Sequence, residues 1–226
     1  MKHTYHKLHL DCLVVLGGNG THKTANLLRE EGLNVVTLPK TIDNDLAGTD
    51  HCPGYGSAAK DVATSIAEVN LDASVYDSPL VIVVEVMGRN AGWLTAAASL
   101  AAFSGAGADL IYLPEVTFDK DKFKADVEKV VAEKQKCIVA VSEGVRYADG
   151  RYVGEDTSAI DNFGHSQLGG VCGVLKSFVK ELGLKCKAIE LNILQRCAAH
   201  CASLTDIEET FAAGEKAVEA ATGGET

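Results

Sequence analysis

Short runs of consecutive apolar residues alternate along the chain with segments in which apolar residues recur at helical spacing. The runs are rich in Val, Ile and Leu on both faces, which is typical of strands covered by helices on both sides. They predict strands over residues 12–16, 33–38, 80–86, 109–113, 137–142 and 185–191. The segments beside them predict helices over residues 23–31, 58–69, 91–103, 120–134, 165–182 and 206–221. This alternation predicts an α/β fold with mainly parallel sheets, and ligands bind such sheets at the carboxyl ends of the strands.

Composition and charge exclude several classes of protein. The 226 residues carry a formal net charge of −10, which argues against a nucleic-acid partner because such proteins need a basic surface. No apolar run approaches the ~20 residues of a membrane span, so no membrane partner is expected. The 7 cysteines are scattered and several lie within apolar runs, which indicates reduced thiols in a cytoplasmic protein.

The first candidate for chemistry is the glycine-rich stretch that follows the first predicted strand. Gly18, Asn19 and Gly20 lie where a strand passes into a helix, so that backbone N–H groups and the helix N-terminus could hold a phosphate. A true P-loop is disfavoured because His22 stands where that motif needs glycine. A tight turn without a ligand is the alternative.

A second candidate follows the next predicted strand, in the segment Pro39-Lys40-Thr41-Ile42-Asp43-Asn44-Asp45. In an extended segment, Asp43 and Asp45 point to the same side, about 7 Å apart. One carboxylate could then accept a proton while the other faces a phosphate bound to Mg²⁺. The alternative is a turn rich in Asp and Asn with no catalytic role.

A third candidate lies at the end of the strand 80–86, where Met87-Gly88-Arg89 precedes a predicted helix. The guanidinium of Arg89 could bind an anionic group through paired N–H donors, although a surface ion pair is the ordinary role of such an arginine.

Two other patterns are disfavoured. Ser142 resembles the nucleophile of a serine hydrolase, but no helix is predicted directly after it. His200 lies near Cys197 and Cys201, but a single Cys-x-x-x-Cys pair favours packing over a zinc site.

Taken together, these segments resemble the phosphofructokinase family, and within it the branch that includes pyrophosphate-dependent enzymes. The likeness is carried by residues 17–20, 39–45, 49–58, 85–94, 109–116, 141–144 and 191–204. It implies two lobes with mainly parallel sheets flanked by helices. Residues 1–54 would belong to the larger, donor-binding lobe, residues 55–194 to the smaller, sugar-phosphate lobe, and residues 195–226 to the larger lobe again.

The resemblance implies transfer of a phosphoryl group to the 1-hydroxyl of fructose 6-phosphate, giving fructose 1,6-bisphosphate, a step of glycolysis. Catalytic roles are implied for Asp43 as the base, for Thr41 as the residue that holds the phosphoryl group, and for Arg89. Asp45 and Asn19 would lie near Mg²⁺, the expected cofactor. Binding of the donor is implied for Gly18, Asn19, Gly20 and Lys40. Binding of the sugar phosphate is implied for Thr41, Asp43, Met87, Gly88, Arg89, Glu143 and Arg196.

The chain departs from the family pattern at several positions. Leu80 and Lys187 stand where many members have arginines, and Ile193 replaces a frequent histidine, which puts sugar-phosphate affinity in doubt. The family's earlier glycine-rich loop and its C-terminal end have no counterpart, so we expect an internal fragment of a longer enzyme. That enzyme would be a homo-oligomer, a dimer or a tetramer. A non-catalytic relative that binds sugar phosphate or nucleotide is a further alternative.

Two positions give opposite indications of the phosphoryl donor. By resemblance, Gly20 leaves room for the α-phosphate of a nucleotide, where pyrophosphate users have aspartate. Lys40 is the residue that pyrophosphate users favour. We expect ATP because a steric block is harder to bypass than a missing cation, with pyrophosphate as the alternative.

Overall fold

The computed structural model describes residues 1–160, 166–168 and 170–225. The helices are α1 (Lys2–Lys7), α2 (Asn19–Glu30), α3 (Tyr55–Ala73), α4 (Trp93–Ala96), α5 (Lys120–Lys134), α6 (Val171–Glu181) and α7 (Leu204–Gly223). The strands are β1 (Leu13–Gly17), β2 (Val35–Pro39), β3 (Leu80–Val86), β4 (Leu110–Tyr112), β5 (Lys136–Ser142), β6 (Glu155–Ile160), β7 (Ser166–Leu168) and β8 (Lys185–Glu190). Short 3₁₀ segments cover Ala97–Ser104, Asn192–Arg196 and Ala199–Cys201.

The chain divides into two compact units, which are described separately. The first comprises Met1–Ser57 and Ala202–Thr226, and the second comprises Ala58–Cys201. The predicted division after residues 54 and 194, with a donor role for one lobe and a sugar-phosphate role for the other, stays a prediction.

In the first unit, β1 and β2 form a parallel pair in register from Leu13 opposite Val35 to Gly17 opposite Pro39. One face of this pair is covered, because Leu13 and Val15 pack against the buried residues Tyr5, Ala25, Leu33 and Val35. The parallel arrangement brings the carboxyl ends of both strands to one edge. The glycine-rich turn and the segment after Pro39 therefore start side by side.

In the second unit, four strands form a parallel sheet in the order β4–β5–β3–β8. The central strand β3 is buried along its whole length, which explains why it consists almost entirely of Leu, Val and Ile. Phe123 and Val127 of α5, and Leu175 and Val179 of α6, pack into the same core. Separately, β6 and β7 form an antiparallel pair.

The predicted α/β class with parallel sheets flanked by helices is confirmed, but some predicted elements are wrong in detail. The predicted helix 91–103 is only one turn of α-helix followed by a 3₁₀ segment, because the alanine-rich stretch lacks an apolar stripe that would hold a longer helix. The predicted helix 165–182 starts late: Ser166–Leu168 form β7, and α6 begins only after Gly170, whose φ is +77°. Its predicted first residue, His165, lies outside the described residues. None of the described helices is long and apolar enough to cross a bilayer.

Candidate functional site

The glycine-rich stretch forms the turn between β1 and α2. Gly18 is the extended N-cap residue of α2, and Asn19 is the first residue of the helix. The predicted helix start at residue 23 is thus wrong by one turn, because the second half of the glycine motif already has helical backbone. The free N–H groups of a helix N-terminus, as at Asn19 and Gly20, are positioned to attract an anion.

The segment after β2 lies against this turn. The Lys40 amide donates a 2.9 Å hydrogen bond to the Gly17 carbonyl, and Lys40 itself is exposed. A methyl group on Gly18 would lie 3.5 Å from the Cβ of Thr41, an ordinary van der Waals distance, so Thr41 lies directly beside the turn. The predicted donor-binding and catalytic segments are therefore neighbours in the first unit.

Asn44 lies between Asp43 and Asp45 and has an unusual backbone conformation. Its φ is +55°, a left-handed conformation that asparagine tolerates, and its side-chain oxygen accepts a 2.7 Å hydrogen bond from the Cys52 amide. This bond spans the loop from Asn44 to Cys52, and the alternative of a turn without a catalytic role stays a prediction. Beside Asn44, the Asp43 amide donates a 3.2 Å hydrogen bond to the Thr41 hydroxyl.

The two residues predicted to lie near magnesium are in direct contact. The Asn19 side-chain amide donates a 2.8 Å hydrogen bond to the Asp45 carboxylate. The amide and carboxylate oxygens of this pair are hard donors, which is the ligand chemistry that Mg²⁺ prefers. The residues present therefore fit the cofactor that the sequence predicts.

In the second unit, the loops after β3 and β5 are bonded to each other. The Gly88 amide donates a 3.2 Å hydrogen bond to the Glu143 carboxylate, and the Ser142 hydroxyl donates a 2.7 Å hydrogen bond to the Gly88 carbonyl. Gly88 has a φ of +132°, a conformation that side chains rarely adopt. The predicted sugar-phosphate residues Gly88 and Glu143 are therefore brought together.

The charge of Glu143 depends on opposing effects. Burial raises the pKa of the Glu143 carboxyl, and the nearby Glu85 carboxylate raises this pKa further. A hydrogen bond from the Gly88 amide and the positive charge of Arg89 lower it. The predicted residues Arg89 and Glu143 are thus close enough to influence each other.

A small cavity of about 60 Å³ opens beside these loops. It is lined by Glu85, Val86, Met87, Glu143, Glu190, Asn192 and Gln195. Gln195 is 2% exposed, and its side-chain oxygen accepts a 3.2 Å hydrogen bond from the Met87 amide. The sequence analysis did not identify Gln195, Glu85 or Glu190 as site residues. Glu85 and Glu190 lie near the carboxyl ends of β3 and β8, which was the available signal, whereas Gln195 lies in the 3₁₀ segment after β8.

The remaining predicted positions do not join either group. Arg196 is exposed at the end of the 3₁₀ segment Asn192–Arg196. Leu80 is buried in β3 at 1% exposure, so it belongs to the core. The Lys187 amine donates a 3.0 Å hydrogen bond to the Tyr76 hydroxyl and lies 3.5 Å from the Asp72 carboxylate. Ile193 is 64% exposed.

Known proteins resemble this chain over most of its length. Relatives include a pyrophosphate–fructose 6-phosphate 1-phosphotransferase of Xanthomonas campestris, 47% identical over 92% of this chain and 52% of its own. An ATP-dependent 6-phosphofructokinase of Spirochaeta thermophila is 49% identical over 62% of this chain and 37% of its own. The chain spans about half the length of the curated relatives it matches.

A solved structure also resembles this chain over almost its whole length. The pyrophosphate-dependent phosphofructokinase of Nitrosospira multiformis aligns with 99% of this chain and 55% of its own, with 37% identity and a TM-score of 0.82. A family model described as phosphofructokinase matches residues 1–221. The chain therefore belongs to the phosphofructokinase family.

Proposed function

We propose that the full-length protein transfers a phosphoryl group from pyrophosphate to the 1-hydroxyl of fructose 6-phosphate, giving fructose 1,6-bisphosphate. The observation that carries this proposal is the group formed by Gly18, Asn19, Thr41, Asp43 and Asp45 at the carboxyl ends of β1 and β2. It combines a helix N-terminus for phosphate, a carboxylate base and a pair of oxygen ligands for a metal. Because the chain spans about half of its relatives, the activity is proposed for the longer protein.

Asp43 is the base in this proposal. Its carboxylate accepts the proton of the sugar 1-hydroxyl as the oxygen attacks phosphorus. The hydroxyl of Thr41 and the amides at the start of α2 bind the phosphoryl oxygens, so that the attacking and leaving oxygens lie in line through phosphorus. The hydrogen bond from the Asp43 amide to Thr41 keeps the two residues in a fixed relation.

The second unit binds the sugar phosphate in this proposal. Arg89 and Arg196 pair with the phosphate, and Glu143 accepts hydrogen bonds from sugar hydroxyls. Met87 and Gly88 supply backbone contacts. The hydrogen bonds that Gly88 accepts from Ser142 and donates to Glu143 hold this loop before substrate arrives, so that less ordering is required on binding.

Asp45 and Asn19 would hold the Mg²⁺ ion. When bound, the ion neutralises charge on the phosphate oxygens of the donor. In the protein alone, Asn19 bonds to Asp45 and so keeps that carboxylate in place beside the phosphate-binding turn.

Pyrophosphate is favoured as the donor by the relatives that match most of this chain. Lys40 supports the same choice, since an exposed amine beside the phosphate-binding turn can neutralise a highly charged leaving group. ATP, the donor expected from Gly20, is the second candidate. A Cβ atom placed at Gly20 would have no described atom within 4 Å. This open space, which could accommodate a larger donor, supports ATP.

The deciding experiment measures formation of fructose 1,6-bisphosphate by the full-length enzyme with pyrophosphate and with ATP under the same conditions. Turnover with pyrophosphate and little with ATP is the expected result. Turnover with ATP but not with pyrophosphate would show that ATP, the second candidate, is the donor. Binding of fructose 6-phosphate without turnover from either donor would support a non-catalytic relative instead. A homo-oligomeric state for the full-length protein stays a prediction, which sedimentation can test.

A further inference from the structure

A second group of metal-ligating side chains lies in the second unit, apart from the residues of the proposed function. Asp61 on α3 lies beside His200 and Cys201 of the 3₁₀ segment Ala199–Cys201. The carboxylate oxygen, the imidazole nitrogen and the thiol sulfur all lie within 4.8 Å of one another. We propose that Asp61, His200 and Cys201 form a binding site for a zinc-like divalent cation.

The chemistry of these ligands selects the kind of metal. Thiolate and imidazole favour Zn²⁺ and Co²⁺, whereas Mg²⁺ prefers oxygen ligands. The site therefore differs in selectivity from the Asn19 and Asp45 pair. It is an addition to the proposed function and does not depend on it.

The geometry needs only a small adjustment to hold such an ion. Ligand atoms around a tetrahedral zinc ion lie about 3.5 Å apart, given metal–ligand distances of about 2.0–2.3 Å. His200 Nε2 lies 3.9 Å from Asp61 Oδ1. The His200 side chain is 77% exposed, so it can rotate toward the other two, and it leaves the fourth coordination position open to water.

Burial fixes the other two ligands. Asp61 is 7% exposed and Cys201 is 4% exposed, and Asp61 lies on the side of α3 that carries the buried residues Ala58 and Val62. A buried carboxylate is unfavourable without a positive or hydrogen-bonding partner. Burial accordingly raises the pKa of Asp61, while His200 and Cys201 lower it. A divalent cation would stabilise the charged carboxylate more strongly than an exposed imidazole does.

The sequence does not reveal this site, because it draws attention to Cys197 and Cys201 as a possible pair. Cys197 is exposed, and its thiol donates to the Ile193 carbonyl at 3.2 Å. The third ligand comes instead from Asp61, on a helix that only the fold brings beside Cys201.

Cobalt titration of the 226-residue chain tests the proposal. Co²⁺ is added to reduced, metal-free protein while the absorption spectrum is recorded, because a cobalt–thiolate bond gives a charge-transfer band in the near ultraviolet. We expect one equivalent of Co²⁺ to produce this band and one equivalent of Zn²⁺ to remove it. Histidines near the N-terminus, such as His3 and His6, could also bind cobalt, but they cannot produce a sulfur band.

Matched variants assign the band to these residues. Cys201→Ser should abolish it, and His200→Asn should weaken cobalt binding at least 10-fold. Cys197→Ser, which removes the exposed neighbouring thiol, should leave it unchanged. Because His200 is exposed, H200N should fold even if C201S does not. Failure of the wild-type chain to give the band, a band that persists in C201S, or unchanged binding in H200N would each overturn the proposal.

Discussion

The Ser142 hydroxyl donates a 2.7 Å hydrogen bond to the Gly88 carbonyl, and both residues are buried. The same hydroxyl oxygen accepts a 3.1 Å hydrogen bond from the Gly144 amide. One serine thus joins the loop after β3 to the loop after β5. These loops carry Arg89 and Glu143. The buried Ser142 hydroxyl therefore positions the backbone from which two predicted substrate-binding side chains extend.

Gly144→Ala should disrupt this junction. A methyl group at Gly144 would lie 2.1 Å from the Arg89 carbonyl oxygen, a backbone atom that cannot rotate away. We expect a loss of about 1–3 kcal/mol in the free energy of unfolding, which is typical of overpacking. In the full-length enzyme, the KM for fructose 6-phosphate should rise as Arg89 is displaced. Urea denaturation of the chain and steady-state kinetics measure the two effects.

Gly173→Ala is the matched control for that substitution. Gly173 is exposed within α6, and no described atom lies within 4 Å of a methyl group placed there. Alanine should raise the free energy of unfolding by about 0.5–1 kcal/mol, because glycine is a poor helix former. If Gly144→Ala is as well tolerated as Gly173→Ala, the close contact with Arg89 does not constrain the loop.

Asp43→Asn should lower turnover by about 10²–10⁴-fold in the full-length enzyme, because asparagine cannot accept the hydroxyl proton. The KM for fructose 6-phosphate should change little, since the amide keeps the shape of the carboxylate. The measurement is kcat and KM with the active donor. Asp50→Asn, at an exposed position in the same loop, is the control and should retain activity. Retained turnover in D43N would assign the base to another residue.

Gly20→Asp should distinguish the two donors without damage to the fold. Gly20 is the second residue of α2 and has open space around it, and a carboxylate near a helix N-terminus is favourable by about 0.3–1 kcal/mol. The melting temperature should therefore hold or rise. Any ATP-dependent turnover should fall because the new carboxylate repels the nucleotide α-phosphate, whereas pyrophosphate-dependent turnover should survive.

Lys40→Gly is the complementary variant. Loss of the amine should weaken turnover with pyrophosphate more than with ATP, because the pyrophosphate-derived leaving group is compact and highly charged. Both variants are assayed with both donors. Equal effects on the two donors would show that neither residue discriminates between them.

Glu85 should make the stability of the chain fall with rising pH in the acidic range. Burial raises the pKa of its carboxyl, and the Glu190 carboxylate adds to this effect, although a 2.9 Å hydrogen bond from the Cys172 amide opposes it. The folded protein thus holds the proton more tightly than the unfolded chain does. The protonated Glu85 carboxyl contributes its full stabilisation below its pKa in the unfolded chain. This contribution is lost as pH rises through its pKa in the folded protein.

Glu85→Gln removes this titration and keeps an oxygen that can accept the Cys172 hydrogen bond. The variant should gain stability relative to the wild type between about pH 4.5, the ordinary glutamate pKa, and neutral pH. Urea denaturation across this range measures the difference. A difference that does not change with pH would show that Glu85 does not control the acidic slope.

The amino-acid sequence by itself determined the fold class and indicated which strand ends carry polar residues. β3 matches its predicted range because a run buried on both faces has the same apolar pattern wherever its neighbours lie. Asp43 and Asp45 could be singled out as candidate site residues because they follow a strand in a recognisable motif. These features depend on residues close together in the chain, and the sequence displays them directly.

Only the tertiary structure decided which distant residues meet. Gln195 holds Met87, Asp206 accepts a 2.6 Å hydrogen bond from the Ser57 amide, and Asp61 lies beside Cys201. None of these pairs has a periodic or motif signal, because each joins elements whose separation in the chain is unrelated to their distance in space. Helix starts such as Val171 likewise depended on one glycine conformation, at Gly170, that composition alone does not reveal.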